Sequence, residues 1–444
     1  MKKIITLLFL LLSIAIHSQS NFQFHGRNNE KVQIRFKLIN NLIIIPLKIN
    51  GKTLSFILDT GVNETILFSL TKNDSIDLNN IKEIYLQGLG EGEPIRALLS
   101  KRNKFEIKTL KSPQEDLYVI LRDAFNVSAR MGQTIHGIIG YDLLKNVIAK
   151  VNYSSQTITF YNPDTYKYSN CKQCGVFPLQ FYRNKPYIDA KIQMDTVGNK
   201  QTNIKLLIDT GGGDAFWLFE GTKKNILTPK KYFKDILGEG LSGTIYGNKS
   251  RVPQVSLGSF NIRRPTVSFL DSLSSFNARK FKERNGSIGG GMLKRFNLII
   301  DYSNRKLTLK KRGAISKKFY YNMSGLNVIY NGQQLVREET INRIKNRSRS
   351  VVAGSENEIS FITSYHYKFT PSYKVDNVVQ ESPAYRSGIL KGDIIKYINN
   401  KPAHIYTLNE IFNLFQSLPG KKIKIEVERF GVPFKFEFRL EQRI

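Results

Sequence analysis

The chain has 444 residues, of which 41% are hydrophobic, 23% charged and 11% aromatic, enough apolar material for roughly three domains with cores of their own. That composition excludes wholesale disorder, a collagen-like repeat and a polytopic membrane protein, and two cysteines exclude a disulfide-dense scaffold or a four-cysteine zinc site. The net charge of +31 suits anionic partners but is spread along the chain; no single basic helix or aromatic-interleaved stripe is present, so no specific nucleic-acid partner is expected.

Residues 1–20 open with Lys2 and Lys3, continue through an apolar stretch from Ile4 to Ile16 interrupted by Thr6 and Ser13, and close on Ser18, Gln19 and Ser20. The apolar part is too short to cross a bilayer and reads as a secretory signal peptide. No Cys stands at its end to take a lipid anchor, and no later run reads as a transmembrane segment, so the mature chain is expected in the periplasm, the cell envelope or the medium.

The segment LIIIPLKINGKTL (42–54) alternates apolar and polar residues and turns at Asn50-Gly51, a hairpin signal. SFILDTG (55–61) then brings three apolar residues to Asp59-Thr60-Gly61, and LQGLGEGEPIRA (86–97) is a Gly-rich tip between strand-like arms. Cys171 and Cys174 stand in Cys-Lys-Gln-Cys, which in an oxidising compartment closes a small disulfide loop; the linker around them does not suit a thioredoxin-like redox site.

The same plan then returns. KPYIDAKIQMDTVGNKQTNI (185–204) corresponds loosely to the first alternating segment, KLLIDTG (205–211) matches SFILDTG at an offset of 150, and ILGEGLSGTIYG (236–247) corresponds loosely to the Gly-rich tip. GYDLLKNVIAKVNYSSQTITF (140–160) aligns without a gap on GGGMLKRFNLIIDYSNRKLTL (289–309) at an offset of 149. The chain therefore holds a duplicated β-rich lobe.

Each lobe carries one Asp-Thr-Gly: Asp59-Thr60-Gly61 and Asp209-Thr210-Gly211. A buried strand delivers an acid to a glycine-permitted turn, where an isolated charge is costly unless something shares it. A pseudo-two-fold axis relating the lobes brings the turns face to face. Two carboxylates about 3 Å apart cannot both ionise, so they share a proton. One then acts as general base on a trapped water and the other as acid toward a carbonyl oxygen, with no metal, no cofactor and no covalent intermediate.

With these residues in view, the two lobes resemble the aspartic protease superfamily. DTGVNETIL (59–67) is very close to the retropepsin active-site pattern, and the later apolar-apolar-Gly element matches Ile138-Ile139-Gly140 and Ser287-Ile288-Gly289. The resemblance implies a mainly β, bilobal double barrel with pseudo-two-fold symmetry and Asp59 and Asp209 as the catalytic pair. It implies that Thr60 and Thr210 cross-brace the turns, with Gly61 and Gly211 supporting them. The Gly-rich tips, with Gly88 and Gly90 in one and Gly240 and Gly243 in the other, become flaps over an extended polypeptide substrate. Tyr85 and Tyr246 are candidates for a flap tyrosine. Val62 and Gly212 stand where the family usually has Ala or Ser, and Gly211-Gly212-Gly213 is expected to make the second turn looser than the first. Asn63-Glu64-Thr65 is formally a glycosylation sequon; a glycan there would block the cleft, so a bacterial host that leaves it bare is expected.

From about residue 319 the pattern changes. Ser382-Pro383-Ala384, Ser387-Gly388-Ile389, Gly392-Asp393-Ile394-Ile395 and Ile398-Asn399-Asn400-Lys401-Pro402 closely resemble the PDZ domain of exported bacterial proteases. Thr407 and Glu410 fit a capping box opening a helix to about Leu418, closed by Pro419-Gly420, and two strands follow around Phe430-Gly431. Ser324, Gly325 and Leu326 look like the loop that receives a peptide's terminal carboxylate before a groove strand. An insertion at about 332–370, with Arg337, Arg343, Lys345, Arg347 and Arg349, reads as a mobile basic loop.

The expected organisation is a signal peptide (1–20), an N-terminal lobe (21–165), a C-terminal lobe (166–318) and a PDZ domain (319–444). The function it points to is an exported aspartic endopeptidase whose PDZ domain recruits or regulates peptides. The rival is a catalytically silent lobe pair that binds peptides in its cleft and PDZ groove.

Overall fold

Period-two alternation builds most of the structure. In Lys31–Arg35 the side chains of Val32 and Ile34 are buried while Lys31, Gln33 and Arg35 face solvent. At Asn50 and Gly51 both φ angles are positive, 45° and 93°, the turn that matches the twist of paired strands, and it joins Leu42–Ile49 to Lys52–Leu58. The computed structural model describes residues 21–26, 30–70, 74–86, 94–120, 126–198, 200–240, 243–345 and 359–444; the expected signal peptide lies outside the described residues. Among these no helix is long and apolar enough to cross a membrane.

Contacts divide the chain into two units. The first runs to Ser128, resumes over Thr134–Tyr321 and takes in Arg443–Ile444; the second comprises Ala129–Gln133 and Asn322–Gln442.

The first unit is mainly β and holds both lobes. In the N-terminal lobe the sheet order is Gln23–Phe24, Leu110–Ile120, Thr65–Leu67, Gly137–Ile139, Lys52–Leu58, Leu42–Ile49, Ile95–Ile107, Lys82–Leu86, and a further pairing of Ile95–Ile107 with Leu110–Ile120 bends it toward closure. The C-terminal lobe repeats the plan. Gln201–Asp209 lies between Lys185–Gln193, antiparallel, and Arg284–Gly289, parallel, as Lys52–Leu58 lies between Leu42–Ile49 and Gly137–Ile139. Phe56 and Phe105 fill one lobe's core and Phe216 and Phe269 the other's, each at most 1% exposed.

A third sheet belongs to both lobes. Its order is Cys174–Pro178, Lys306–Lys311, Phe296–Asp301, Ile148–Asn152, Thr157–Tyr161, Lys31–Arg35, three strands from each half. At its centre Ile148 pairs with Asp301 and Val151 with Leu298, antiparallel. The gapless repeat of the sequence is thus two copies of one hairpin meeting across the symmetry axis. Cys171 and Cys174 are joined by a disulfide at the start of the outer strand.

The second unit is one sheet ordered Leu326–Lys345, Ile359–Val378, Ile394–Ile398, Lys422–Arg429, Val432–Arg439, with two helices. Ser382 caps Pro383–Ser387, and Gly388, at φ 93°, ends it. Thr407 and Glu410 form the expected capping box of Leu408–Phe415, which stops three residues short of Leu418 because Gln416 already leaves helical geometry. Asp393, 1% exposed, accepts two hydrogen bonds from Arg429 at 2.7 and 2.8 Å.

The insertion departs from expectation. Residues 333–345 and 359–371 are not a loop but the outer part of two 20-residue antiparallel strands, with Gln333 opposite Pro371 and Lys345 opposite Ile359. Tyr365, Tyr367 and Phe369 recur every second residue, the strand period, with Arg337 over the ring of Tyr365 at 4.7 Å. The arginines drew the loop reading, yet the β-formers Val336, Thr340, Ile341 and Ile344 stand among them. Arg347 and Arg349 lie outside the described residues.

Candidate active site

Each Asp-Thr-Gly sits where an interior strand of its lobe ends. Leu58 and Ile208 are buried on those strands, and the chain turns at once: Val62 N–H donates to Asp59 C=O at 3.4 Å and Gly212 N–H to Asp209 C=O at 3.3 Å. The parallel strand beside each turn fixes it. Asp59 N–H donates to Ile139 C=O at 2.9 Å, and Asp209 pairs in register with Gly289. Glycine ends that strand because nothing larger fits. A methyl group on Gly140 would lie 2.1 Å from Asp59 C=O, and one on Gly289 2.4 Å from Asp214 C=O.

The two turns are tied together through their threonines. Thr60 N–H donates to Thr210 Oγ1 and Thr210 N–H to Thr60 Oγ1, both at 3.0 Å. Thr60 Oγ1 donates to Ile208 C=O at 2.6 Å, and Thr210 Oγ1 to Leu58 C=O at 2.7 Å. Both threonines are 1% exposed, so no water substitutes for these partners. Thr60→Val strands Thr210 N–H and Ile208 C=O and is expected to cost roughly 2–5 kcal/mol, read as a lower denaturant midpoint.

The carboxylates meet above this brace. Gly61 N–H donates to Asp59 Oδ1 at 2.7 Å and Gly211 N–H to Asp209 Oδ1 at 3.1 Å. A methyl group on Gly61 would lie 3.1 Å from Asp59 Oδ1 and 3.4 Å from Asp209 Oδ1. Burial pushes the Asp59 carboxyl up to about 7, helped by the charge of Asp209 and opposed by the turn N–H groups and Lys185. Burial also raises Asp209, against Arg284, Lys185 and the N–H groups of Gly211 and Gly212.

Gly211-Gly212-Gly213 proves tight rather than loose. Asn41 Nδ2 donates to Gly213 C=O at 2.7 Å while Lys294 Nζ donates to Asn41 Oδ1 at 2.6 Å, tying a first-lobe hairpin to the second-lobe turn. A methyl group on Gly213 would reach Asn40 C=O at 3.0 Å, and one on Gly290 would reach Asn41 C=O at 2.2 Å. These glycines admit the neighbouring lobe's backbone.

The carboxylates lie in a cleft of about 370 Å³. Gly240, at the end of Phe233–Gly240, and Ile245 of Gly243–Arg251 line it, and Gly240 pairs with Gly243 across the hairpin tip. Lys82–Leu86 and Ile95–Ile107 form the corresponding arms of the first lobe, whereas Gly88 and Gly90 lie outside the described residues. Tyr85 and Tyr246 are 69% and 60% exposed and line no part of the cleft. Trp217 does: its Nε1 donates to Asp214 Oδ2 at 2.9 Å, and Lys249 stands 3.4 Å from Asp214 Oδ1.

Lys185 and Arg284 also line the cleft and were not singled out from the sequence. Their neighbourhood depends on which strands flank Asp209, which spacing along the chain does not reveal. The repeat held a signal nonetheless, because the matched segments set Lys185 against Leu42.

In the second unit, the loop of Ser324, Gly325 and Leu326 is already hydrogen-bonded within itself. Asn322 Oδ1 accepts from Ser324 N–H at 3.1 Å and Gly325 N–H at 3.3 Å, and Ser324 Oγ from Leu326 N–H at 3.0 Å. The three donors expected to hold a terminal carboxylate are therefore occupied. The strand that follows, from Leu326, lies at one edge of the sheet, and Phe415 C=O, ending the capped helix, accepts from Met323 N–H at 2.9 Å beside it.

Comparison with known proteins agrees with this architecture. The aspartyl protease family model matches residues 45–143, the first lobe's hairpin, Asp-Thr-Gly turn and parallel strand, and the PDZ domain model matches residues 374–429. No curated protein matches the chain. Among solved structures, the aspartic proteinase from Irpex lacteus aligns with 64% of this chain and 98% of its own at 12% identity and a TM-score of 0.41. The chain carries an aspartyl protease domain and, C-terminal to it, a PDZ domain.

Proposed function

We propose that the protein is an exported aspartic endopeptidase in which Asp59 and Asp209 share one proton and activate water against a peptide bond. The observation that carries this reading is the meeting of both carboxylates around one glycine position at the base of the cleft, with Asp59 held near 7. The ionised carboxylate takes a proton from water as its oxygen attacks the carbonyl carbon, and the protonated partner gives its proton to the carbonyl oxygen. Collapse of the tetrahedral species breaks the C–N bond, and the amide nitrogen leaves with a proton from the dyad.

Polypeptides are the substrate class, held extended between the lobes under the flap hairpins. The PDZ unit recruits or regulates them. Because the Ser324–Leu326 donors are engaged, strand addition along the open edge after Leu326 is the mode that its hydrogen bonding favours over capture of a chain end.

The test is incubation with an unfolded protein from pH 3 to 8, with product ends mapped by mass spectrometry. Hydrolysis is expected to be bell-shaped: lost in acid when both carboxyls are protonated, and lost above about pH 7 when the shared proton leaves. Absence of new chain ends at every pH would remove the proposal.

A further inference from the structure

The two lobes are not electrostatically equivalent around the dyad. Ile44 pairs with Ile57 and Tyr187 with Leu207, each two residues before its aspartate, so Leu42 and Lys185 hold corresponding places. Ile139 pairs with Leu58 and Ile288 with Ile208, so Ile135 and Arg284 correspond at the repeat's offset of 149. In the first lobe both places are filled by buried apolar side chains: Leu42 is 6% exposed and Ile135 0%. The fold therefore does not require a cation at either. In the second lobe both are cations lining the cleft.

Neither cation is in salt-bridge contact with a carboxylate among the described residues, although both feel the charge of the dyad. Arg284, 4% exposed, donates to Gly286 C=O at 3.2 Å and Ser287 Oγ at 2.7 Å, interacts with Tyr187 and lies over the Phe219 ring. The Lys185 ammonium makes no ion pair or hydrogen bond among the described residues. Burial and the neighbouring guanidinium pull the Lys185 ammonium below its ordinary range, while Asp59 and Asp209 pull it back. Burying unpaired charge is costly, and here the sister lobe shows that the cost is avoidable. The rest of the wall matches: Tyr182 and Phe281 stack at 4.5 Å, and Arg183 and Lys280 stand exposed at the rim. Among the described residues of this lining the acids are Asp59 and Asp209, which on the endopeptidase reading share a proton.

We propose that Lys185 and Arg284 form a carboxylate subsite, so that the enzyme selects polypeptides presenting an acidic group beside the scissile bond on the second-lobe side. This rests on the endopeptidase reading. A carboxylate reaching both cations beside the stacked rings replaces lost water with two charge-assisted contacts, whereas an amide offers them no charge. The carboxylate has two sources, an Asp or Glu side chain or the end of the chain.

The experiment takes a peptide spanning one mapped cleavage site and replaces the three residues on either side, one at a time, with Glu or Gln, each peptide with a free and an amidated C-terminus. Wild type and Lys185→Leu, the residue of the sister lobe, are compared. At one position kcat/KM is expected to favour Glu over Gln by about tenfold to a hundredfold, with the ratio falling toward one in Lys185→Leu. Thermal stability of the variant is expected to equal or exceed that of wild type, because a buried charge has gone. A preference for Glu that survives amidation identifies the side chain; one that appears only with a free terminus identifies the chain end. Equal cleavage of Glu and Gln peptides, or a preference unchanged in the variant, overturns the subsite while the endopeptidase reading stands. If nothing is cleaved, calorimetric binding of an arbitrary extended peptide carrying a central Glu, and of its Gln counterpart, still decides: tighter Glu binding lost in Lys185→Leu keeps the subsite without the reaction, and equal binding removes both.

Discussion

Asp209→Asn is expected to lower hydrolysis at least about 10³-fold and, in the same protein, to raise Tm at pH 8 by a few degrees. The first effect follows from the chemistry, since a lone carboxylate flanked by an amide cannot both take and give the proton. The second follows from proton linkage. Folding lifts Asp59 from 3.8 to about 7, so between those values the folded chain holds a proton that the unfolded chain has released. The stability tied to that proton is full below pH 3.8 and is lost as pH rises through about 7, where two charges are forced to coexist. Replacing one acid removes that repulsion, so the gain in Tm shrinks toward pH 4. Thermal melts of both proteins across this range check the sign. A variant that is equally active, or whose Tm falls with alkalinity as steeply as that of wild type, would show that the carboxylates do not act on one another.

Gly211→Ala is expected to cost at least about 100-fold in kcat/KM, against no more than about tenfold for Gly61→Ala. The two glycines are equivalent in the repeat but not in space. A methyl group on Gly211 would lie 2.1 Å from Asp59 Oδ2 and 2.2 Å from its Cγ, which no packing tolerates. On Gly61 the corresponding approaches, to Asp209 Oδ1 and Cγ, are 3.4 and 3.5 Å, with its own Asp59 Oδ1 at 3.1 Å, which small shifts relieve. At Gly211 the group that must move is the end of a side chain, so the fold survives and the reacting geometry does not. Activity with circular dichroism as a folding control checks it; equal loss in both variants would mean that the carboxylates are placed differently about the two turns.

The acids were legible because the chemistry repeats, and their threonine braces because the pattern resembles the aspartic protease superfamily. One Asp-Thr-Gly after three apolar residues says little, but a second copy at a fixed offset implies a symmetric pair, and Thr60 and Thr210 do brace each other. The capping box at Thr407 was legible because its two partners are three residues apart. What remained hidden depends on neighbours distant along the chain. Gly213 read as slack, whereas Asn41 of the other lobe lies against it, and nothing in the spacing singled out Lys185. The Ser324–Leu326 loop has the expected sequence, but the hydrogen bonds from its donors run to Asn322 and Ser324.

The strand Ile148–Asn152 completes its ladder only with Phe296–Asp301, which the ribosome makes much later. Until then its backbone groups form an open border able to capture another nascent chain. Such a mispairing would set two first halves about the same axis, with Asp59 facing Asp59. The second copy is thus what covers that border, and first halves released early are expected to be recovered as dimers.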